Sequence, residues 1–499
     1  MQAKKSIWLG ASVLAAFLLA QCAPAATPTP QTIIQTQVVV QTQVQVQTQV
    51  QVQTQVQVQT QVVINTQVVQ SVVTATPAPA SGAVKVLLVG AQDTDSTDPV
   101  SGAAIPGIQH LKDAFEKAYP SIDMQLINIP FGTGSTSYSA KTETMIQAQE
   151  ACVYDMPGAL GFGRRGYLEN LDPWMKNDPT FKNVWAGDTL AKTRGWGPGN
   201  PDNQWGLPYV GGNRVIHYDS VLFDQWKVEP LSLHPTLDEI LTKAGKMTGK
   251  NPVTGEQNYG YWFQGKYLNW QFQAIAHAAG ATWGKVNDDG SLTINWNTPE
   301  YLKGLQWLAA AAKFAPPGAL ASDSMPDGFL TDKNVVAIIP EGEPGYYMAP
   351  FIATPALQKR FRTVYNLEGP DGKGGLFIAD PVTMAASCQN KPAAWEVMKW
   401  LAGSPESQTY NFVSGGHLPV IADAAKLIPQ LGTLLDADAI LNQNGSAEPR
   451  FVWAAIEPRF DLQTAIQGAL AGTLSPEKAL AQAQKQTDDW LKKQAGGTS

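Results

Sequence analysis

The sequence predicts an α/β protein in which helices cover both faces of a parallel sheet. Three observations lead there. From Val84 onward, apolar runs of strand length alternate with runs of helical period. The chain has 499 residues and is 44% apolar, enough for a large core and for two or three domains. After Gly206 the rhythm changes to longer helices with few strands between them, which marks a second region.

Val84 to Val89 is an apolar strand closed by Gly90. Ile108 to Tyr119 places Ile108, Leu111, Phe115 and Ala118 on one helical face, and Pro120 ends the helix. Met124 to Ile129 reads as a second strand, Tyr138 to Gln149 as a second helix, and Val153 to Leu160 as a third extended run broken by Pro157. Farther on, Val215 to Tyr218 and Val335 to Ile339 are strand-like. Helices are expected over Thr236–Thr248, Leu268–Ala279, Pro299–Phe314, Pro392–Ala402, Leu462–Ala471 and Ser475–Lys493. The last opens with Ser475 as cap and Pro476 at the first helical position.

The amino-terminal 82 residues differ in kind. Lys4 and Lys5 precede an uncharged apolar run, Ile7 to Ala20, too short to span a bilayer comfortably, which predicts a secretory signal peptide over residues 1–22. Leu19-Ala20-Gln21-Cys22 resembles a bacterial lipobox with Gln21 in place of the usual small residue, so Cys22 is the expected lipidation site. Ordinary cleavage near Ala23-Pro24-Ala25 is the alternative. Residues 23–82 carry no charge, and Gln-Thr-Gln-Val-Gln-Val hexads start at Gln35, Gln41, Gln47, Gln53, Gln59 and Asn65. Their period is that of a strand. An extended low-complexity spacer is the preferred reading, with a self-pairing β-rich stalk as the alternative. Fully stretched at about 3.3 Å per residue, the hexads reach on the order of 120 Å.

With 42 acidic against 35 basic residues and no basic stripe, nucleic acid is not an expected partner. The fifteen Trp and fourteen Tyr provide either core or flat faces for stacking on rings. Cys152 and Cys388 are the other two cysteines, and two buried free thiols are the plainer expectation over a disulfide.

Several segments carry a family resemblance by their number and order. They are Phe115-Glu116-Lys117-Ala118-Tyr119-Pro120-Ser121-Ile122, Gly166-Tyr167-Leu168-Glu169-Asn170-Leu171-Asp172-Pro173-Trp174 and Trp205-Gly206-Leu207-Pro208-Tyr209. His217-Tyr218-Asp219 with Leu222-Phe223, Pro235-Thr236-Leu237-Asp238-Glu239, Ala393-Ala394-Trp395-Glu396 and Ser404-Pro405-Glu406-Ser407-Gln408 follow. Across residues 84 to 493 the chain resembles the family 1 extracellular solute-binding proteins of ABC importers. The resemblance implies a two-lobed, periplasmic-binding-protein-like α/β fold of the class II type, with a ligand cleft between lobes joined by crossing hinge segments. It divides the body into 84–209 plus 365–415 and 210–364 plus 416–499.

The resemblance also implies the function: a monomeric, lipid-anchored, exported receptor on the outer face of the bacterial cytoplasmic membrane. It would capture a sugar or oligosaccharide and pass it to ABC permease subunits. The same matches suggest contact residues: Tyr138 opening the second helix, Gly161 and Phe162 after the third strand, and Tyr209 at the crossover. Tyr267 and Trp270 fall on the aromatic helix, Glu341 and Tyr346 in the loop after a buried strand, and Arg459 before a closing helix. Asp93, after the first strand, is the expected hydrogen-bonding acid. Flat sugar faces suit Tyr and Trp, and charged groups orient hydroxyls. Core packing is the competing role for each aromatic. Other solutes for such an architecture are polyamines, phosphate esters and metal complexes.

Other chemistries find little support. Gly161-Phe162-Gly163-Arg164-Arg165-Gly166 has dinucleotide-loop spacing but follows the third extended run rather than the first, so a tight turn explains it better. Asp93, Asp95 and Asp98 break the EF-hand pattern, and the five histidines lack zinc spacing. No nucleophile elbow or phosphate loop occurs. The chain is therefore expected to need no cofactor or metal and not to be an enzyme. An exported carbohydrate-active enzyme and a surface adhesin remain the rival classes.

Overall fold

The computed structural model describes residues 80–98, 102–130, 138–155, 159–187, 189–197, 200–282, 284–287, 291–322, 324–342, 354–374, 377–422, 424–441 and 456–496. Met1–Pro79 and Ala80–Ser499 form separate units. Of the first, only an antiparallel pairing of Gln35–Thr36 with Gln70–Ser71 is described. The expected signal peptide, Cys22 and nearly all of the hexads lie outside the described residues.

Two five-stranded sheets organise the second unit. Their strands, in chain order, are β1 (Gly82–Val89), β2 (Ile122–Ile129), β3 (Val153–Asp155), β4 (Gly206–Asn213), β5 (Val215–Asp219), β6 (Gly249–Lys250), β7 (Gln257–Tyr261), β8 (Val336–Gly342), β9 (Phe361–Val364) and β10 (Phe377–Met384). The main helices are α1 (Ile108–Ala118), α2 (Tyr138–Gln147), α3 (Ala159–Arg164), α4 (Ser220–Trp226), α5 (Leu237–Lys246), α6 (Leu268–Ala278), α7 (Pro299–Ala311), α8 (Lys391–Gly403), α9 (Pro405–Gly415), α10 (Ile456–Leu470) and α11 (Pro476–Gly496).

Sheet I runs in the order β4-β10-β3-β1-β2. Strand β1 alternates as its period demands. Val84, Val86 and Leu88 enter one core with Leu111 and Phe115 of α1 and with Trp395 and Met398 of α8. Leu87 and Val89 enter the other core with Tyr154 and Phe162. Only the pairs β1–β2 and β1–β3 are parallel, whereas β10 runs antiparallel to both β3 and β4. The expected all-parallel sheet is thus corrected to a mixed one. Strand β10 returns from far along the chain to insert between β3 and β4, and local periodicity contains no trace of that insertion.

The third extended run is also shorter than expected. Strand β3 stops at Asp155, and Ala159–Arg164 is helical. Two of the expected turn glycines therefore lie in helix α3. A Cβ on Gly163 would stand 2.5 Å from the Trp205 indole, so the close approach requires glycine there. Gly166 alone takes a left-handed turn, with φ +78°.

Cys152 and Cys388 form a disulfide with Cα atoms 4.8 Å apart, correcting the free-thiol expectation. The reason is register. Val153 pairs with Met384, and the Ala385 amide donates to the Cys152 carbonyl at 2.9 Å, so the residues flanking the two strand ends become neighbours.

Sheet II runs in the order β6-β7-β8-β5-β9 and is covered by α6 and α7. Helix starts follow the capping residues: Asp219 accepts from Val221 and Leu222 before α4, Thr236 from Glu239 before α5, and Thr298 from Tyr301 before α7. Ser475 accepts from the Lys478 amide at 3.3 Å, as its sequence position predicts. Helices α6 and α7 meet at Gly304, where a Cβ would come within 2.9 Å of the Ala276 Cα.

The chain passes from sheet I to sheet II at Arg214, the single residue between β4 and β5, and returns between Val364 and Phe377.

Candidate functional site

Arg214 stands at the crossing because β4 and β5 each belong to a different sheet. From there its guanidinium carbon lies 5.8 Å from the ring centroid of Trp270 in the first turn of α6. Arg459, in the first turn of α10, places its guanidinium carbon 3.7 Å from the same centroid, directly over the ring. Arg459 is only 1% exposed. Burial drives its pKa from the usual guanidinium range down to about 9. The like charge of Arg214 acts in the same direction, while the phenols of Tyr138 and Tyr301 oppose it. Tyr138 opens α2, beside sheet I, so this electrostatic cluster draws on both sheets.

Helix α6 contributes a second set of polar groups. At 100° per residue, Asn269, Trp270, Gln273 and His277 share an arc of about 100°. Gln273 is buried, and neither its amide nitrogen nor its oxygen has a hydrogen-bond partner. The same holds for Asn269 Oδ1 and for Trp262 Nε1 just upstream. Leaving such groups unsatisfied costs roughly 1–3 kcal/mol apiece, so buried polar atoms without partners ask for an occupant. Gln463 of α10 ties the start of α6 in place, accepting from the Asn269 amide at 3.3 Å and donating to the Lys266 carbonyl at 2.8 Å. His277 lies within hydrogen-bond distance of Asp371 (Nε2, 3.0 Å) and of the Ala281 carbonyl (Nδ1, 3.0 Å).

On the sheet I side, acids gather beyond the carboxyl ends of the parallel strands, where α/β sheets bind ligands. Asp93 is exposed and accepts from Asn128 Nδ2 at 2.7 Å. Asp155 ends β3, buried, and accepts from the Val89 amide at 3.2 Å. Asp380 is buried on β10. Asp95, in the Asp93 loop, serves α1 instead, accepting from the Gly107 amide at 2.8 Å and meeting His110 at 2.9 Å.

The remaining expected contacts are distributed. Tyr209 is buried, and its hydroxyl donates to Asn411 at 2.9 Å. Burial, followed by the charge of Asp155, holds its pKa well above the ordinary phenol value. Phe162 is buried beneath the Arg165 guanidinium at 4.8 Å, and the carbonyl of neighbouring Gly161 accepts from Arg165 at 3.4 Å. Tyr267 is half-buried at the residue before α6. Glu341 lies in β8 next to Gly342, whose backbone pairs with Val215. Tyr346 is outside the described residues. The structure therefore brings Tyr138, Trp270 and Arg459 together.

Sequence reasoning passed over Arg214, Gln273, Asn269, Asp155 and Asp380. Two of these carried a usable signal: Asn269 and Gln273 are carboxamides four residues apart, on the same helical face as Trp270. Arg214 carried none, since its importance comes from the crossing.

Two sheets joined by crossing segments, with aromatic and charged groups converging where the chain crosses, define a two-lobed binding protein. Residues 99–408 match the family of bacterial extracellular solute-binding proteins, and the chain belongs to that family. Its fold is similar to that of the ABC substrate-binding protein of Listeria monocytogenes solved with cycloalternan, at 19% identity and TM-score 0.62, covering 83% of this chain and 99% of that one. A solute-binding protein of Thermotoga lettingae bound to α-D-tagatose matches at 22% identity and TM-score 0.61, covering 82% and 100%. A maltose-bound T. maritima protein matches at 16% identity and TM-score 0.63, covering 82% and 99%. The family and these fold relatives are binding proteins rather than enzymes.

Proposed function

We propose that this protein captures a sugar or oligosaccharide between its two lobes and delivers it to an ABC permease, without converting it chemically. The observation that carries this reading is the Trp270 indole at the crossing, with the Arg459 guanidinium over its ring, Arg214 5.8 Å from it, and Tyr138 acting electrostatically on Arg459 from the start of α2. The sugar ligands of the fold relatives support it. In this reading residues 84–209 with 365–415 form one lobe and 210–364 with 416–499 the other, and closure follows ligand because ligand favours the state it contacts more. Cys22 carries the lipid, and residues 23–82 hold the monomeric receptor away from the outer face of the membrane.

Thermal unfolding of the mature protein against sugars, polyamines, phosphate esters and metal ions tests it. A ligand at 100 times its Kd adds about 2.7 kcal/mol, a readily visible shift. A shift with a saccharide recovered unchanged is expected. A shift only with a polyamine, a metal ion or a phosphate ester without sugar overturns the sugar assignment, and formation of product makes the protein an enzyme.

A further inference from the structure

Helix α6 carries two buried glutamines that the protein treats differently. Gln271 is bonded within the fold: its Nε2 donates to the Tyr261 hydroxyl at 3.1 Å and to the Trp262 carbonyl at 3.4 Å. Gln273, only 1% exposed, has no hydrogen-bond partner for Nε2 or for Oε1. Asn269, one turn earlier and equally buried, has none for Oδ1. At 100° per residue, Gln273 falls about 40° from Asn269 and about 60° from Trp270, so the three share one face. Trp270 is half-buried and is the accessible end of that face. The face is also held in place. Gln463 and Gln467 of α10 donate to the Lys266 and Gly265 carbonyls at 2.8 and 2.6 Å, and Gln463 accepts from the Asn269 amide. Unpartnered groups on a fixed element are what a built binding site presents.

What these atoms lack identifies what can serve them. Gln273 needs an acceptor for its NH2 and a donor for its carbonyl oxygen, and Asn269 Oδ1 needs a donor. A polyamine brings donors only and would leave Gln273 Nε2 bare. An oxyanion brings acceptors only and would leave Gln273 Oε1 and Asn269 Oδ1 bare. A hydroxyl both donates and accepts, so hydroxyls serve all three atoms. A primary amide sets its oxygen beside its NH2, a pairing that two hydroxyls on neighbouring ring carbons match. We infer that Gln273 selects the solute by a vicinal diol, its carbonyl accepting from one hydroxyl and its NH2 donating to the next, while Asn269 Oδ1 accepts from an adjoining hydroxyl. This rests on the sugar-binding reading above and deepens it by naming the specificity-determining residue. A buried amide of this kind rejects a solute lacking either hydroxyl, because one of its own groups is then left unpaired.

The test is calorimetric titration of the mature protein with glucose, galactose, mannose and maltose, then with the single-deoxy analogues of whichever binds most tightly. The expected result is that at least two analogues, lacking hydroxyls on neighbouring carbons, bind about fivefold or more weaker than the parent sugar. Gln273→Leu should bind the parent about fivefold weaker and no longer distinguish it from those two analogues. Gln271→Leu, which removes the glutamine bonded within the fold, should keep the distinction. Gln273→Met, of the same length and equally without hydrogen-bonding groups, repeats the measurement if the Leu variant does not fold. Wild-type affinity and selectivity in a Gln273 variant would show that water serves the amide, and would overturn the inference while leaving the sugar reading standing. Losses confined to a single hydroxyl or to hydroxyls on separated carbons do the same. Binding of no saccharide overturns the sugar reading and this inference with it.

Discussion

The strand ends of sheet I and the α6–α10 contact beside sheet II both face the crossing, but they treat polar groups in opposite ways. At sheet I the acids are held by the protein. Asp93 accepts from Asn128, Asp95 from the Gly107 amide, and Asp155 from the Val89 amide. At the α6–α10 contact the protein buries a guanidinium on an indole and leaves the Gln273 amide without a partner. Groups already bonded within the protein change little when a ligand arrives. Groups left unsatisfied cost stability until one does. In the proposed function, the second region is therefore where ligand binding and folding stability are coupled most strongly.

The largest expected effect tests whether sheet II tolerates any loss of pairing. Asp219 is fully buried, caps α4 and takes three bonds from Arg360, the shortest 2.8 Å, plus one from Asn334 at 2.8 Å. Asp219→Ala should cost about 3–5 kcal/mol in urea unfolding, because it strands a partly buried guanidinium. Asp93→Ala, at an exposed loop, should stay within about 0.5 kcal/mol.

Sheet I has its own covalent restraint. Reducing Cys152–Cys388, which closes a separation of 236 residues, should lower stability by about 2–4 kcal/mol. A Tm unchanged by reductant would show that the bond does not form in the mature protein.

Gln273→Leu sharpens the comparison directly. Removing an unsatisfied buried amide should raise the stability of the ligand-free protein by about 1 kcal/mol while weakening saccharide binding by about as much. A loss of both stability and binding would instead assign Gln273 a purely structural role.

Acid should separate the two sheets in sequence. Burial holds His217, on β5, down at about 3. The unfolded chain takes up that proton near pH 6.5, so stability falls as pH drops below about 6.5, at up to about 1.4 kcal/mol per unit. Asp178, beside sheet I, behaves differently. Burial alone would raise its pKa, but bonds from Lys399, Thr180 and Trp395 hold it below the usual carboxylate range. Its contribution is complete above about pH 3.9 and is lost only as pH falls further. Urea midpoints measured from pH 7 to 3 should show His217→Gln flattening the upper part of the curve and Asp178→Asn only the lowest part. An upper part unaffected by His217→Gln would contradict this order.

Much of the architecture could be read locally. The stripe of Leu111 and Phe115, the Ser475-Pro476 helix start and the alternation within Val84–Val89 all express forces that act within a few residues, so sequence by itself determined where those elements lie. The order of the family-like segments was sufficient to identify the family for the same reason, since each segment is a local signature. The insertion of β10 between β3 and β4, the joining of Cys152 to Cys388 and the meeting of Arg214, Trp270 and Arg459 were decided only by tertiary structure. Each depends on segments far apart in the chain being brought into one register by a shared core, and no periodicity within a single segment encodes which distant segment it will meet.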